Sequence, residues 1–104
     1  MAEVGALLIK IIWIMYYTYF CESLKNEKIY VGSTSKDPDM RVSEHNSGSS
    51  KWTRENAPFK LIYFEEYHCK KDAECREWFY KSGLGKRIKK AIIESIKWAR
   101  SSAG

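Results

Sequence analysis

No two cysteines in this chain stand at CxxC spacing, and the three present, Cys21, Cys69 and Cys75, are odd in number. That excludes a disulfide framework and points to reduced thiols in a cytoplasmic protein. A zinc cluster built from His45, His68, Cys69 and Cys75 lacks the two closely spaced ligand pairs that structural zinc sites use. Long apolar runs are equally scarce. The one present runs from Ala6 to Phe20 around Lys10 and falls short of the ~20 residues a bilayer span needs. It also lacks a basic leader and a small-residue cleavage site, so neither a signal peptide nor a membrane anchor is expected. Residues 1–14 read as an apolar N-terminal extension ahead of a single domain over 15–100. There is no repeat, low-complexity tract or domain linker.

What is present suits a globular fold. A chain of 104 residues can bury a modest core without metals or disulfides. Its 30% charged and 44% apolar residues match an ordinary folded domain. The net charge of +5 serves solubility or a polyanionic partner such as nucleic acid, and charge alone does not choose between them.

Two aromatic and β-branched stretches, Tyr17-Thr18-Tyr19-Phe20 and Ile29-Tyr30-Val31-Gly32-Ser33-Thr34, flank the polar turn Leu24-Lys25-Asn26-Glu27. They predict a strand pair with Tyr19 and Tyr30 on adjacent strands, and Gly32 leaves room for a ligand to approach backbone. Asp37 and Pro38 then start a helix that runs to Asn46 and stops at Ser47-Gly48, with Gly48 as its left-handed cap. Residues 47–58 read as a polar loop. Phe59–Tyr67 reads as a third strand, apolar on both faces in its middle and therefore central. A helix from Lys70 to Lys81 places Ala73, Glu77, Tyr80 and Leu84 in one stripe and Cys75, Trp78 and Phe79 opposite. Gly83-Leu84-Gly85 breaks the pattern before a last helix over Lys86–Arg100, with Ile88, Ala91, Ile92, Ile96 and Ala99 as its apolar face and Lys86, Arg87, Lys89 and Lys90 on the other. That basic cluster reads first as a solvated face and second as part of a phosphate-facing surface.

Chemistry-bearing residues fall on these elements. Arg41 and His45 share a helix face, either as solvated surface with Glu44 as ion partner or as a functional pair. Lys51, Trp52 and Arg54 interleave cations with an aromatic ring, which suits phosphates and a stacked base, while Trp52 folding onto the core is the alternative. Glu77 in an apolar stripe needs a partner: Lys81 at i+4, or a metal ion.

The order of these residues resembles the GIY-YIG nuclease family. Tyr17-Thr18-Tyr19 stands at the family's first motif and Tyr30-Val31-Gly32 at its second, followed by Arg41. Glu44-His45-Asn46-Ser47-Gly48, Pro58-Phe59-Lys60-Leu61-Ile62-Tyr63 and Arg76-Glu77 leading to Lys81-Ser82-Gly83 are similar to its small, stand-alone bacterial branch. The resemblance implies an α/β (α+β) domain with a central three-stranded antiparallel sheet flanked by helices. It also implies cleavage of phosphodiester bonds in DNA, whether single-stranded, branched or duplex, with one divalent metal, magnesium or manganese. Carried over, Glu77 holds the metal, Arg41 contacts the phosphate, Tyr19 is the general base with His45 as second candidate, and Tyr30 and His45 position water or phosphate. Lys51, Trp52, Arg54 and Lys81 are the nucleic-acid contacts. A non-catalytic nucleic-acid-binding module on the same scaffold is the alternative. Two departures stand out: Tyr17 replaces the name-giving glycine, and Lys81-Ser82-Gly83-Leu84-Gly85-Lys86 lacks the late asparagine of many members, leaving its role to Ser82, to Lys81 or to neither.

Overall fold

The structure, a computed structural model, describes residues 14–48 and 50–103. The expected apolar extension lies outside the described residues except for Ile14. In chain order the elements are β1 (Tyr16–Ser23), β2 (Ile29–Thr34), α1 (Pro38–Asn46), α2 (Lys51–Asn56), β3 (Phe59–Tyr67), α3 (Lys70–Tyr80) and α4 (Gly83–Ala103). No helix among the described residues is long and apolar enough to cross a membrane.

The three strands form an antiparallel sheet in the order β2-β1-β3. The expected hairpin is present, with Tyr19 opposite Gly32 and Cys21 opposite Tyr30. The third strand, however, is at the edge, and β1 is central. An apolar middle records helices on both faces of a strand, not neighbours on both edges, so Leu61-Ile62-Tyr63 misled the reading. Alternation along β1 divides the core in two. Tyr19 and Cys21 pack with Val42 and Phe59 on one face, beneath α1. Phe20 packs with Val31, Tyr80, Phe79, Ile92 and Ile93 on the other, beneath α3 and α4. Burial pushes the Cys21 thiol up to about 12, while Cys69 and Cys75 are exposed, and all three are free.

α1 starts and stops where its caps predict. The Asp37 carboxylate accepts from the Asp39 amide at 2.9 Å, and Gly48 follows the helix at φ +81°. Residues 47–58 are not a loop throughout, because α2 lies within them. Ser50 Oγ accepts from the Thr53 amide at 3.2 Å while Ser50 N donates to Thr53 Oγ1 at 2.9 Å. This is a capping box closed by threonine instead of the usual Glu or Gln.

α3 ends at Tyr80, one residue early, and α4 begins at Gly83 with no break at Gly83-Leu84-Gly85. A Cβ on Gly85 would collide with the Phe79 carbonyl, so glycine lets the first turn of α4 sit directly on the last turn of α3. The apolar faces are also rotated from expectation. Phe79, placed opposite the core stripe, packs inward, whereas Leu84, placed in the stripe, is 63% exposed. On α4, Ile92 and Ile93 carry the packing, while Ile88 and Ala91 face outward.

Candidate active site

β1 and β2 bring two tyrosines together across a glycine. A Cβ on Gly32 would lie 2.6 Å from Tyr19 Oη and 2.9 Å from Tyr30 Cε1. The space that the sequence reserved for a ligand is filled by the protein's own rings. Below them, His45 of α1 meets Tyr19, with Oη and Nε2 separated by 2.7 Å. Both residues are buried, at 1% and 2% exposure. Tyr30 packs edge-on against the imidazole with ring centroids 5.0 Å apart.

The protonation of this pair follows from its surroundings. Burial, then the nearby Arg41 charge, holds His45 below its usual pKa, with Glu44 opposing. Burial, then Tyr30, raises the Tyr19 phenol far above its usual range, and Arg41 pulls the other way. Between a neutral imidazole and a neutral phenol the direction of this hydrogen bond follows the imidazole tautomer, Tyr19 donating when Nε2 carries no proton. His45 Nδ1, buried, has no hydrogen-bond partner.

Arg41, one turn before His45, donates from Nη1 to Glu44 Oε2 at 2.6 Å. Glu44 Oε1 accepts from Lys36 Nζ at 2.5 Å. The ion partner expected for Arg41 is therefore present, and the guanidinium also faces a hollow of about 300 Å³ lined by Tyr16, Ser33, Thr34, Lys36 and Glu74.

Glu77 comes from the opposite face of the sheet. Its Oε1 accepts from Ser33 Oγ at 2.7 Å and its Oε2 from Lys81 Nζ at 2.6 Å. It opens onto a second hollow of about 670 Å³ with Ser33, Lys71, Glu74, Cys75 and Trp78. Ser33 and Glu74 line both hollows, which therefore adjoin at the end of β2. Arg41 lines the first and Glu77 the second.

Ser33 escaped the sequence reading. Strand alternation does place it on the face opposite Tyr30 and Gly32, since it pairs with Thr18, whose hydroxyl bonds the Ala73 carbonyl of α3 at 2.7 Å. That signal locates the residue but not its partner 44 positions ahead.

The expected nucleic-acid residues are less uniform. Trp52 does fold back, stacking on Phe59 at 5.6 Å and lying 5.2 Å from Tyr30, yet stays 38% exposed. Arg54 donates to the Gly48 carbonyl at 3.2 Å, and Lys51 stands 3.9 Å from Glu55. Lys81 is engaged by Glu77.

Among the described residues no three His, Cys, Asp or Glu side chains gather into a metal cage. Magnesium does not need one, because it keeps several waters and takes one or two carboxylates. Glu77 at the mouth of a hollow, with Glu74 on the same wall, fits that demand. Zinc's closed sets of nitrogen and sulfur ligands have no counterpart among these residues.

A three-stranded antiparallel α+β sheet flanked by helices, with Tyr19, Tyr30 and His45 packed together on one face and Glu77 carried by a helix on the other, suits a domain of GIY-YIG type. The GIY-YIG catalytic domain matches residues 15–90, and the chain belongs to that family. It is similar to a UPF0213 protein of Clostridium perfringens, with 37% identity over 82 residues, 78% of this chain and 85% of that one. It is likewise similar to a UPF0213 protein of Lactococcus lactis, 32% identical over 81 residues, 77% of this chain and 76% of the relative. The solution NMR structure of a UPF0213 protein from Bacillus halodurans aligns at 29% identity and a TM-score of 0.46, covering 78% of this chain and 84% of that one.

Proposed function

We propose that this protein is a metal-dependent endonuclease that hydrolyses phosphodiester bonds in DNA. The observation that supports the reading is the adjacency of two hollows that share Ser33 and Glu74, with Arg41 lining one and Glu77 the other. Arg41 is the phosphate contact. Its fork of donors suits non-bridging oxygens that gain charge in the transition state, and Glu44 holds it in place beforehand.

Tyr19 and His45 act as one base. A phenol raised this far cannot accept a proton as free phenolate at neutral pH. As the Tyr19 oxygen takes a proton from the attacking water, its own passes to His45 Nε2, so that no phenolate forms. A depressed imidazole pKa keeps Nε2 free to receive it. Tyr30 fixes the ring edge of His45. Glu77 is the residue that would hold Mg2+ or Mn2+, and such an ion supplies Lewis-acid stabilisation of the leaving oxygen. Ser33 orients the Glu77 carboxylate.

The test is cleavage of end-labelled single-stranded, duplex and branched DNA with magnesium, manganese or EDTA. Cutting should require metal and disappear in Glu77→Ala. It should fall about 10²–10³-fold in Arg41→Ala and about 10²-fold or more in Tyr19→Phe. DNA binding without cutting under either metal would point to a binding module instead.

A further inference from the structure

Eight lysines and arginines among the described residues stand within ion-pairing distance of a carboxylate: Lys36 and Arg41 with Glu44, Lys51 with Glu55, Lys60 and Lys97 with Glu22, Lys70 with Glu74, Arg76 with Glu65 and Lys81 with Glu77. The densest run of cations outside these pairs is in the first two turns of α4. Lys86, Arg87, Lys89 and Lys90 follow one another there, and none has a carboxylate at ion-pairing distance among the described residues.

Lys89 is the informative member. It is half-buried, and burial, followed by the charges of Lys86 and Lys81, holds its ammonium below the usual lysine pKa. Three lysines thus crowd one another where two helices meet. Gly85 makes this possible by seating the first turn of α4 on the end of α3. Of the three only Lys81 has a carboxylate partner among the described residues, Glu77; like charges gathered at Lys86 and Lys89 oppose folding, whereas a bound anion reverses the sign of the effect. The crowd also begins at the candidate site, because Lys81 Nζ is 2.6 Å from Glu77 Oε2.

We propose that Lys86 and Lys89, continuing from Lys81, form a track that holds the phosphate backbone of a nucleic acid where it leaves the hollow at Glu77. The occupant is the same strand whose phosphodiester lies in that hollow, so the inference rests on the nuclease reading for its ligand. Its basis is the charge complementarity and the continuity from Glu77 through Lys81 to α4. The sequence alone favoured a solvated face, and the gathering of four cations within positions 86–90, next in the chain to the Lys81–Glu77 pair, turns the balance toward an external anion. The track adds a surface on the α3–α4 side to the Trp52 region, whose cations are already partly engaged.

The test uses the full chain, in EDTA so that no strand is cut. Binding of a fluorescein-labelled DNA oligonucleotide is followed by anisotropy over a series of KCl concentrations. Lys86→Gln/Lys89→Gln is compared with Lys28→Gln/Arg100→Gln, which removes the same charge from exposed positions elsewhere on the chain. The slope of log K against log salt should fall by about two for the first variant, roughly one for each phosphate left without its cation. Its affinity at low salt should drop on the order of tenfold, while the comparison variant stays near wild type. Lys86→Arg/Lys89→Arg should restore most of the affinity. Equal losses in both charge-removing variants, or none in either, would overturn the track. Wild-type binding with this pattern but no cutting under magnesium or manganese would leave the track standing and remove the nuclease reading. Failure of the wild type to bind any oligonucleotide would remove both.

Discussion

At Gly32 two tyrosine rings leave no room for a Cβ, and the consequence passes through Tyr19 to His45, whose protonation sets a pH dependence for the fold. The folded-state pKa of His45 lies below its unfolded value because the ring is buried beside Arg41. Below pH ~6.5 the unfolded chain takes up a proton that the folded chain refuses, so stability falls as pH drops through that window and is full above it. Urea unfolding midpoints should decline from pH 7 to 5.5. His45→Gln should flatten the decline, and an unchanged slope in that variant would sink the argument. Motif order nominates Tyr19, Tyr30, Arg41, His45 and Glu77, and the contact among Tyr19, Tyr30 and His45 was legible in that order. Ser33 was not, because a serine at a strand end looks like any other until a distant helix is laid across it.

α3 presents Glu77, and its roll is set by a carboxylate on another element. Glu65 of β3 accepts from Tyr63 and Tyr67 at 2.6 Å each, from Arg76 Nε at 3.1 Å, and from the Tyr80 hydroxyl. Arg76 and Tyr80 lie on either side of Glu77 in sequence, and the Arg76 guanidinium lies over the Phe79 and Tyr80 rings. Glu65→Gln keeps the shape but leaves an amide NH₂ facing donors, so it should cost about 2 kcal/mol in chemical denaturation. DNA cleavage should fall with it even at temperatures where the variant is fully folded. Wild-type stability would refute the clamp. This fork could not be read from sequence, since four donors drawn from two elements converge only after β3 and α3 pack. The hairpin, α1 and the helical character of residues 70–80 were legible from local signals. α2 was hidden by its threonine-closed cap, and the place of β3 in the sheet by the covering of both its faces.

Across the whole molecule, the sheet order separates what is held from both sides from what is held from one. Thr18 to Ser23 of β1 are all buried, and the strand is bonded to β2 on one edge and β3 on the other. β3 presents its outer edge to no other strand among the described residues, and the last turns of α4, from Lys97 to Arg100, are exposed. Amide hydrogen exchange should therefore divide the chain. The amides of β1 should exchange only at the free energy of global unfolding, those on the outer edge of β3 by local opening, and the end of α4 fastest. Exchange of β1 amides at the rate of β3 edge amides would contradict this order. The tyrosine hydrogen-bonded to His45 is borne on the strand expected to open last, so the lifetime of that contact should be the lifetime of the folded domain.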